Sequence, residues 1–203
     1  MLRRGEWKGT HLKELLGVDL HHATVGLCGF GRIGQVIARR LRGFEPSVLY
    51  CDQNQVAPDV ERELNAVFVG KDELLRRADI VILILPYTQE THHFIGAREL
   101  GLMKRKAVLI NVARGGIVDD AALIEALEAG RIWAAGLDVY ENEPNVNPDL
   151  LGITNVVLSP HIASASEPTR QAMAMTAARN CVAALTTGNP PDLLNRDVLR
   201  QSA

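Results

Sequence analysis

Thr24-Val25-Gly26-Leu27-Cys28-Gly29-Phe30-Gly31-Arg32-Ile33-Gly34 is the stretch that decides the fold of this chain. A short apolar run of strand type leads straight into three glycines spaced GxGxxG. Gly29 permits a tight turn, Gly31 lets the backbone approach a pyrophosphate, and Gly34 lets the following helix pack close to the strand. Gln35 to Arg42 continues as helix. Its N-terminus carries unpaired N–H groups and partial positive charge, which suits an anion. A second strand, Ser47 to Cys51, ends at Asp52, eighteen residues past Gly34 (52 − 34). An acid there accepts hydrogen bonds from ribose hydroxyls and repels a 2′-phosphate. Gln53, Asn54 and Gln55 follow, with no nearby Lys or Arg to receive a phosphate. The expected cofactor is therefore NAD rather than NADP.

Outward from that turn the chain keeps alternating. Strands are expected at 65–69, at 79–85, where the run is apolar after its first residue as in a central parallel strand, at 107–112, 132–137 and 156–158. Helices are expected at 71–77, 97–103 and 120–129, the last capped by Asp119 and ended by Gly130. Ser166 is expected to cap a long helix from Pro168 to Thr187, closed by Gly188-Asn189-Pro190-Pro191. Strands separated by helices predict an α/β fold, a doubly wound parallel sheet of Rossmann type, with ligands outside the carboxyl ends of the strands.

Three polar residues follow three successive strand ends. Arg114 sits in Ala113-Arg114-Gly115-Gly116, Asp138 and Glu143 in Asp138-Val139-Tyr140-Glu141-Asn142-Glu143-Pro144, and His161 in Ser159-Pro160-His161-Ile162-Ala163. A guanidinium fork beside two glycines can grip a carboxylate through two parallel hydrogen bonds. His is the side chain best suited to supply a proton to a carbonyl oxygen near neutral pH, and a carboxylate beside it, here Glu143, orients the ring. The set points to hydride transfer with a nicotinamide.

Composition narrows the classes. The chain has 203 residues, 47% hydrophobic, with a formal net charge of −2, so neither nucleic acid nor a membrane surface is an expected partner. No apolar run approaches the roughly 20 residues needed to span a bilayer, and the N-terminus lacks a signal-peptide core. Cys28, Cys51 and Cys181 form no CxxC pair, which suits reduced thiols in a cytoplasmic protein. His21-His22 and His92-His93 are adjacent pairs without HExxH spacing. They read as surface histidines, and no metal site is expected.

These motifs carry a resemblance. Gly29-Phe30-Gly31-Arg32-Ile33-Gly34, Asn111-Val112-Ala113-Arg114-Gly115-Gly116, Gly136-Leu137-Asp138-Val139-Tyr140 with Glu143-Pro144, and Ser159-Pro160-His161-Ile162 resemble the nicotinamide-binding domain of the D-isomer-specific 2-hydroxyacid dehydrogenases. The chain is most similar to the glyoxylate and hydroxypyruvate reductase branch, including 2-ketogluconate-type reductases. The resemblance runs from about Arg4 to Asp197. It implies that Arg114 binds the substrate carboxylate and carbonyl, that His161 is the acid/base and that Glu143 is its partner. It places Arg32 and Ile33 at the pyrophosphate and Asp52 at the adenosine ribose, with Leu85, Pro86 and Thr91 along the adenosine side. Asp138, Val112 and Ala113 would position the nicotinamide, and Arg114, His161 and Ala163 complete the cofactor shell. The implied substrate is a small 2-keto or 2-hydroxy acid.

The resemblance also implies an organisation. Residues 1–20 would form an arm and linker helix, 21–167 the NAD-binding domain, and 168–203 a helix and tail that join a substrate domain. That substrate domain, usually placed mostly before the cofactor domain, is expected to be largely missing, since the glycine turn begins at residue 29. Arg3 to Leu16 resemble a segment that lies between subunits, which implies a homodimer. Thr10 stands near where some glyoxylate reductases carry a Trp, so larger 2-keto acids stay open as substrates. Two functions remain on the table: a reductase, impaired in so short a chain, or an NAD-binding module without turnover that acts as sensor or assembly partner.

Overall fold

The structure, a computed structural model, describes residues 2–7, 9, 16–195 and 197. Met1, Lys8 and residues 10–15 of the expected arm, Thr10 among them, lie outside the described residues. Two compact units are present, Met1–Ser159 and Pro160–Ala203.

The first unit is built on a seven-stranded, all-parallel sheet. Its strands are β1 (Thr24–Cys28), β2 (Ser47–Cys51), β3 (Ala66–Phe68), β4 (Ile80–Leu83), β5 (Val108–Asn111), β6 (Ala134–Leu137) and β7 (Val156–Leu158). The helices between them are α1 (Arg32–Leu41), α2 (Pro58–Leu64), α3 (Lys71–Arg77), α4 (Ala97–Leu102), α5 (Asp120–Glu128) and α6 (Pro148–Gly152). Strand order is β3-β2-β1-β4-β5-β6-β7, so the order reverses between β1 and β4. A crevice opens at such a switch point, and there the ligand of a doubly wound sheet binds.

Side chains sort by the two-residue period of a strand. Val25, Leu27, Val48, Tyr50 and Ile80 pack on one face, against Ala38 of α1 and Leu64 of α2. Cys28, Leu49, Cys51, Val81 and Leu83 pack on the other, with Leu74 and Leu75 of α3, Leu100 of α4 and Leu123 of α5. Burial on both faces is why these strands read as nearly continuous apolar runs. Cys28 and Cys51 are register partners, both free and buried.

The expected caps hold: the Asp119 side chain accepts from the Ala122 N–H, and Gly130 takes a left-handed φ of 60° after α5. Some bounds shift. The strand expected at 79–85 is only Ile80–Leu83, because Leu85-Pro86 turns away, and that expected at 132–137 starts at Ala134. Helix α1 begins at Arg32, so Gly34 lies inside its first turn. Helices α2 and α6 escaped the sequence reading. Each starts on a proline at its first turn, and α2 is anchored by Tyr50, whose hydroxyl donates to Glu61 Oε1 at 2.7 Å. Burial and the adjacent Glu61 push the Tyr50 hydroxyl up to about 12.

The second unit holds α7 (Glu167–Thr187). The Ser166 side chain caps it by accepting from the Thr169 N–H, and Gly188 ends it with a left-handed φ of 68°. No helix among the described residues is long and apolar enough to cross a membrane.

Candidate active site

The glycine turn has the shape a pyrophosphate needs. Gly29 has φ 98°, and a Cβ there would lie 2.6 Å from the Ile84 carbonyl oxygen. A Cβ on Gly34 would lie 2.5 Å from the Gly29 carbonyl oxygen. A Cβ on Gly31 would meet nothing within 4 Å. Two of the glycines thus serve the fold, and the third leaves room beside the backbone. Gly31 brings no side-chain cap to α1, which leaves the first-turn N–H groups to a ligand. A cleft of about 640 Å³ opens there, lined by Gly31, Arg32, Ile33, Gly34, Val36, Arg40 and Ile84. This cradle fits a dinucleotide pyrophosphate.

Asp52 closes the turn. Its Oδ2 accepts from the Phe30 N–H and its Oδ1 from the Gln53 N–H, both at 2.7 Å. The carboxylate at the end of β2 therefore holds the glycine turn after β1. Across the switch point, Thr91 Oγ1 donates to the Pro86 carbonyl at 2.8 Å and accepts from the Thr88 N–H at 2.7 Å. The loop after β4 that begins at Leu85-Pro86 is pinned by its own threonine.

Arg114 and Glu143 follow the neighbouring strands β5 and β6. Asn111, 2% exposed at the end of β5, shapes the first turn. Its Oδ1 accepts from the Ala113 N–H and its Nδ2 donates to the Arg114 carbonyl, both at 3.1 Å. The Arg114 side chain is exposed, and its Nη1 donates to the Ala113 carbonyl at 2.6 Å. The next residue is the keystone. A Cβ on Gly115 would fall 1.6 Å from the Tyr140 carbonyl oxygen and 2.2 Å from its carbon. The Arg114 turn and the segment leading to Glu143 are thus pressed together backbone to backbone. Glu143 Oε1 accepts from the Tyr140 N–H at 2.8 Å, which folds its segment on itself. Asp138 is buried and accepts from Ser159 Oγ at 2.5 Å. The Tyr140 hydroxyl, pushed above its ordinary range chiefly by burial, lies 2.8 Å from the Ser159 carbonyl and 3.0 Å from that of Leu137.

Sequence reading gave no role to Asn111, Tyr140 or Ser159 beyond motif membership, and to Gly115 only that of letting the backbone turn beside Arg114. A polar side chain at the buried end of an apolar strand was the available signal for Asn111. Another set appears only in three dimensions. His93 Nε2 lies 2.6 Å from Glu141 Oε1, and its Nδ1 lies 3.7 Å from Asp119 Oδ2. His92 and His93 are exposed, as expected, yet His93 also bridges the Arg114 and Glu143 segments. Beside it Asp120 is buried and raised from 3.8 to about 6, first by burial and then by the charge of Glu141.

A pH dependence follows. Between about pH 4 and 6 the folded state keeps the Asp120 proton that the unfolded state releases, so this residue's contribution to stability falls as pH rises through that window. Asp120→Asn removes the cost. Its stability over the parent should grow from near zero at about pH 3.5 to about 1–3 kcal/mol above pH 7, the helix N-terminus offsetting part of the gain. Urea unfolding across that range checks it. A difference that does not vary with pH would assign the titration to another group.

His161 is the second residue of the second unit, three residues past the last residue of β7 (161 − 158). It holds a left-handed φ of 52° and is exposed, as are Ile162 and Ala163. Non-glycine residues keep such a backbone only where the surroundings demand it, and functional sites are enriched in them.

A family model described as D-isomer specific 2-hydroxyacid dehydrogenase, NAD binding domain, matches residues 1–163. The chain belongs to that family. Among similar proteins of this dehydrogenase family, a glyoxylate reductase of Thermococcus onnurineus is 48% identical over 202 residues, covering 98% of this chain and 60% of that protein. The crystal structure of a glyoxylate reductase from Paecilomyes thermophila superposes with a TM-score of 0.87 at 38% identity, covering 97% of this chain and 58% of that one. An NADPH-dependent glyoxylate/hydroxypyruvate reductase from Sinorhizobium meliloti, in complex with NADP and malonate, gives a TM-score of 0.81 at 40% identity, covering 94% and 58%. The chain thus spans about 60% of the length of the relatives it matches.

Proposed function

We propose that this chain is the cofactor-binding part of an oxidoreductase that moves a hydride between NAD(H) and a small 2-keto or 2-hydroxy acid of the glyoxylate or hydroxypyruvate kind. The observation that carries this reading is the backbone packing of Gly115 against Tyr140, which holds the Arg114 turn beside the Glu143 segment at the carboxyl ends of adjacent strands. Arg114 grips the substrate carboxylate, His161 exchanges the proton of the carbonyl or hydroxyl oxygen, and Glu143 is the carboxylate that steadies the imidazolium. When bound, the cofactor supplies or takes the hydride. Gly29, Gly31, Arg32, Ile33 and Gly34 hold its pyrophosphate and Asp52 its ribose. Leu85, Pro86 and Thr91 follow the adenosine side. Val112, Ala113, Arg114, Asp138, His161 and Ala163 surround the nicotinamide. NAD is the preferred form, since Asp52 repels a 2′-phosphate.

The same reading assigns residues 1–20 to an arm, 21–167 to the NAD-binding domain and 168–203 to a connection toward a substrate domain, in a homodimer. Free thiols at Cys28, Cys51 and Cys181 support a reducing compartment such as the cytoplasm.

The test is loss of NADH absorbance with glyoxylate, hydroxypyruvate and 2-ketogluconate, run in parallel with NADPH. Oxidation faster with NADH, reduced about 10²–10⁴-fold in His161→Ala with NADH affinity nearly unchanged, is expected. Folded protein that binds NADH and oxidises it with none of the three acids would replace this reading by that of a binding module.

A further inference from the structure

The amino ends of β1 and β2, opposite the glycine turn and Asp52, carry a cluster the proposed reaction does not use. His21 and His22 occupy the turn before Thr24, and Glu45 stands just before β2. All three are exposed, and one ligand atom from each lies within 4.8 Å of the others. The His22 N–H donates to the Phe44 carbonyl at 3.1 Å, which ties the two turns together. His22 Nδ1 is 4.0 Å from Glu45 Oε2, and the two imidazole centroids are 3.7 Å apart. Both His22, at φ 59°, and Glu45, at φ 51°, hold left-handed backbone. His21 Nδ1 lies 3.2 Å from the Phe44 carbonyl oxygen. A ring N–H donated to a backbone carbonyl leaves the other nitrogen to carry the lone pair, the usual second contact of a metal-bound histidine.

We infer that His21, His22 and Glu45 form a surface site for a divalent transition metal ion of the Zn²⁺ or Ni²⁺ class. Two imidazoles and one carboxylate are a borderline donor set that suits these ions and not Mg²⁺ or Ca²⁺. Tetrahedral bonds of about 2.0 Å put ligand atoms roughly 3.3 Å apart. The cluster is wider than that, so side-chain rotation of about 1 Å completes it and water fills the fourth position. An adjacent pair of histidines carries no ligand spacing in the sequence. The third ligand arrives from the start of the next strand only through the parallel pairing of β1 and β2.

Isothermal titration of the 203-residue chain with ZnCl₂ tests this, beside His22→Gln, Glu45→Gln and a His92→Gln/His93→Gln control, each checked for native circular dichroism. One equivalent bound, weakened at least about 10-fold in His22→Gln and in Glu45→Gln, since a lost ligand costs no less than a lost outer-shell partner, and retained in the control, is the expected result. NADH affinity should be the same in the parent chain, His22→Gln and Glu45→Gln, because the cluster lies at the other end of the sheet. No binding by the parent chain overturns the inference. So does binding that survives both single substitutions, or that is lost in the control.

Discussion

Gly115→Ala should cost this chain about 3 kcal/mol or more of folding stability, although it adds a single methyl group. The added carbon would sit 1.6 Å from the Tyr140 carbonyl oxygen and 2.9 Å from the Glu141 nitrogen. Neither atom is the end of a flexible side chain, so two backbone segments must separate by more than an ångström. Overpacking of side chains costs about 1–3 kcal/mol, and a clash that only backbone can relieve lies at the upper end or beyond. The separation pulls apart the segments that carry Arg114 and Glu143. Turnover should therefore fall with stability, and fall even where the protein remains folded. The measurement is urea unfolding of both proteins, with Gly101→Ala as control. Gly101 lies in α4 with open space at its Cβ, and alanine there should stabilise by about 0.5–1 kcal/mol. A loss below 1 kcal/mol for Gly115→Ala would mean that the two turns yield easily, and that their packing does not place Arg114.

Gly31→Val should do the reverse, leaving the fold intact and removing cofactor binding. Gly31 has φ −71° and ψ −159°, an extended backbone that valine adopts, and its Cβ direction is empty to 4 Å. The protein loses no contact, and the substitution costs at most about 1 kcal/mol at the helix N-cap. The valine side chain then occupies the space where the turn would meet a pyrophosphate. NADH affinity should drop at least about 100-fold, or about 2.7 kcal/mol. Quenching of protein fluorescence by NADH reads the affinity, and urea unfolding at matched pH reads the fold. Unchanged affinity in a folded Gly31→Val protein would move the pyrophosphate away from this turn. With both results, Gly115 is required by neighbouring backbone and Gly31 by the ligand.

The sequence alone was enough to read the doubly wound sheet and its cofactor turn. Those features are local. Alternation along Val25 to Cys28 and Val48 to Cys51 reports burial on two faces, a GxGxxG turn reports its own backbone, and Asp52 is fixed by its distance along the chain. Helix α2 was missed because Val60 and Leu64 alone mark its apolar side, and its docking relies on Tyr50 reaching Glu61 from another element. The positions of Arg114, Glu143 and His161 after successive strands were also legible, since strand ends follow from the apolar runs.

What only the tertiary structure decided is which loops touch. Gly115 faces Tyr140, Asp120 is buried beside Glu141, and Glu45 joins His21 and His22. Each depends on two segments far apart in the chain arriving at the same end of the sheet. Local periodicity carries no record of that meeting, because the contacts arise from strand pairing and loop packing across the fold. The sequence by itself therefore determined the architecture and the chemistry available to it. The distances that hold the candidate site together came from the folded chain alone.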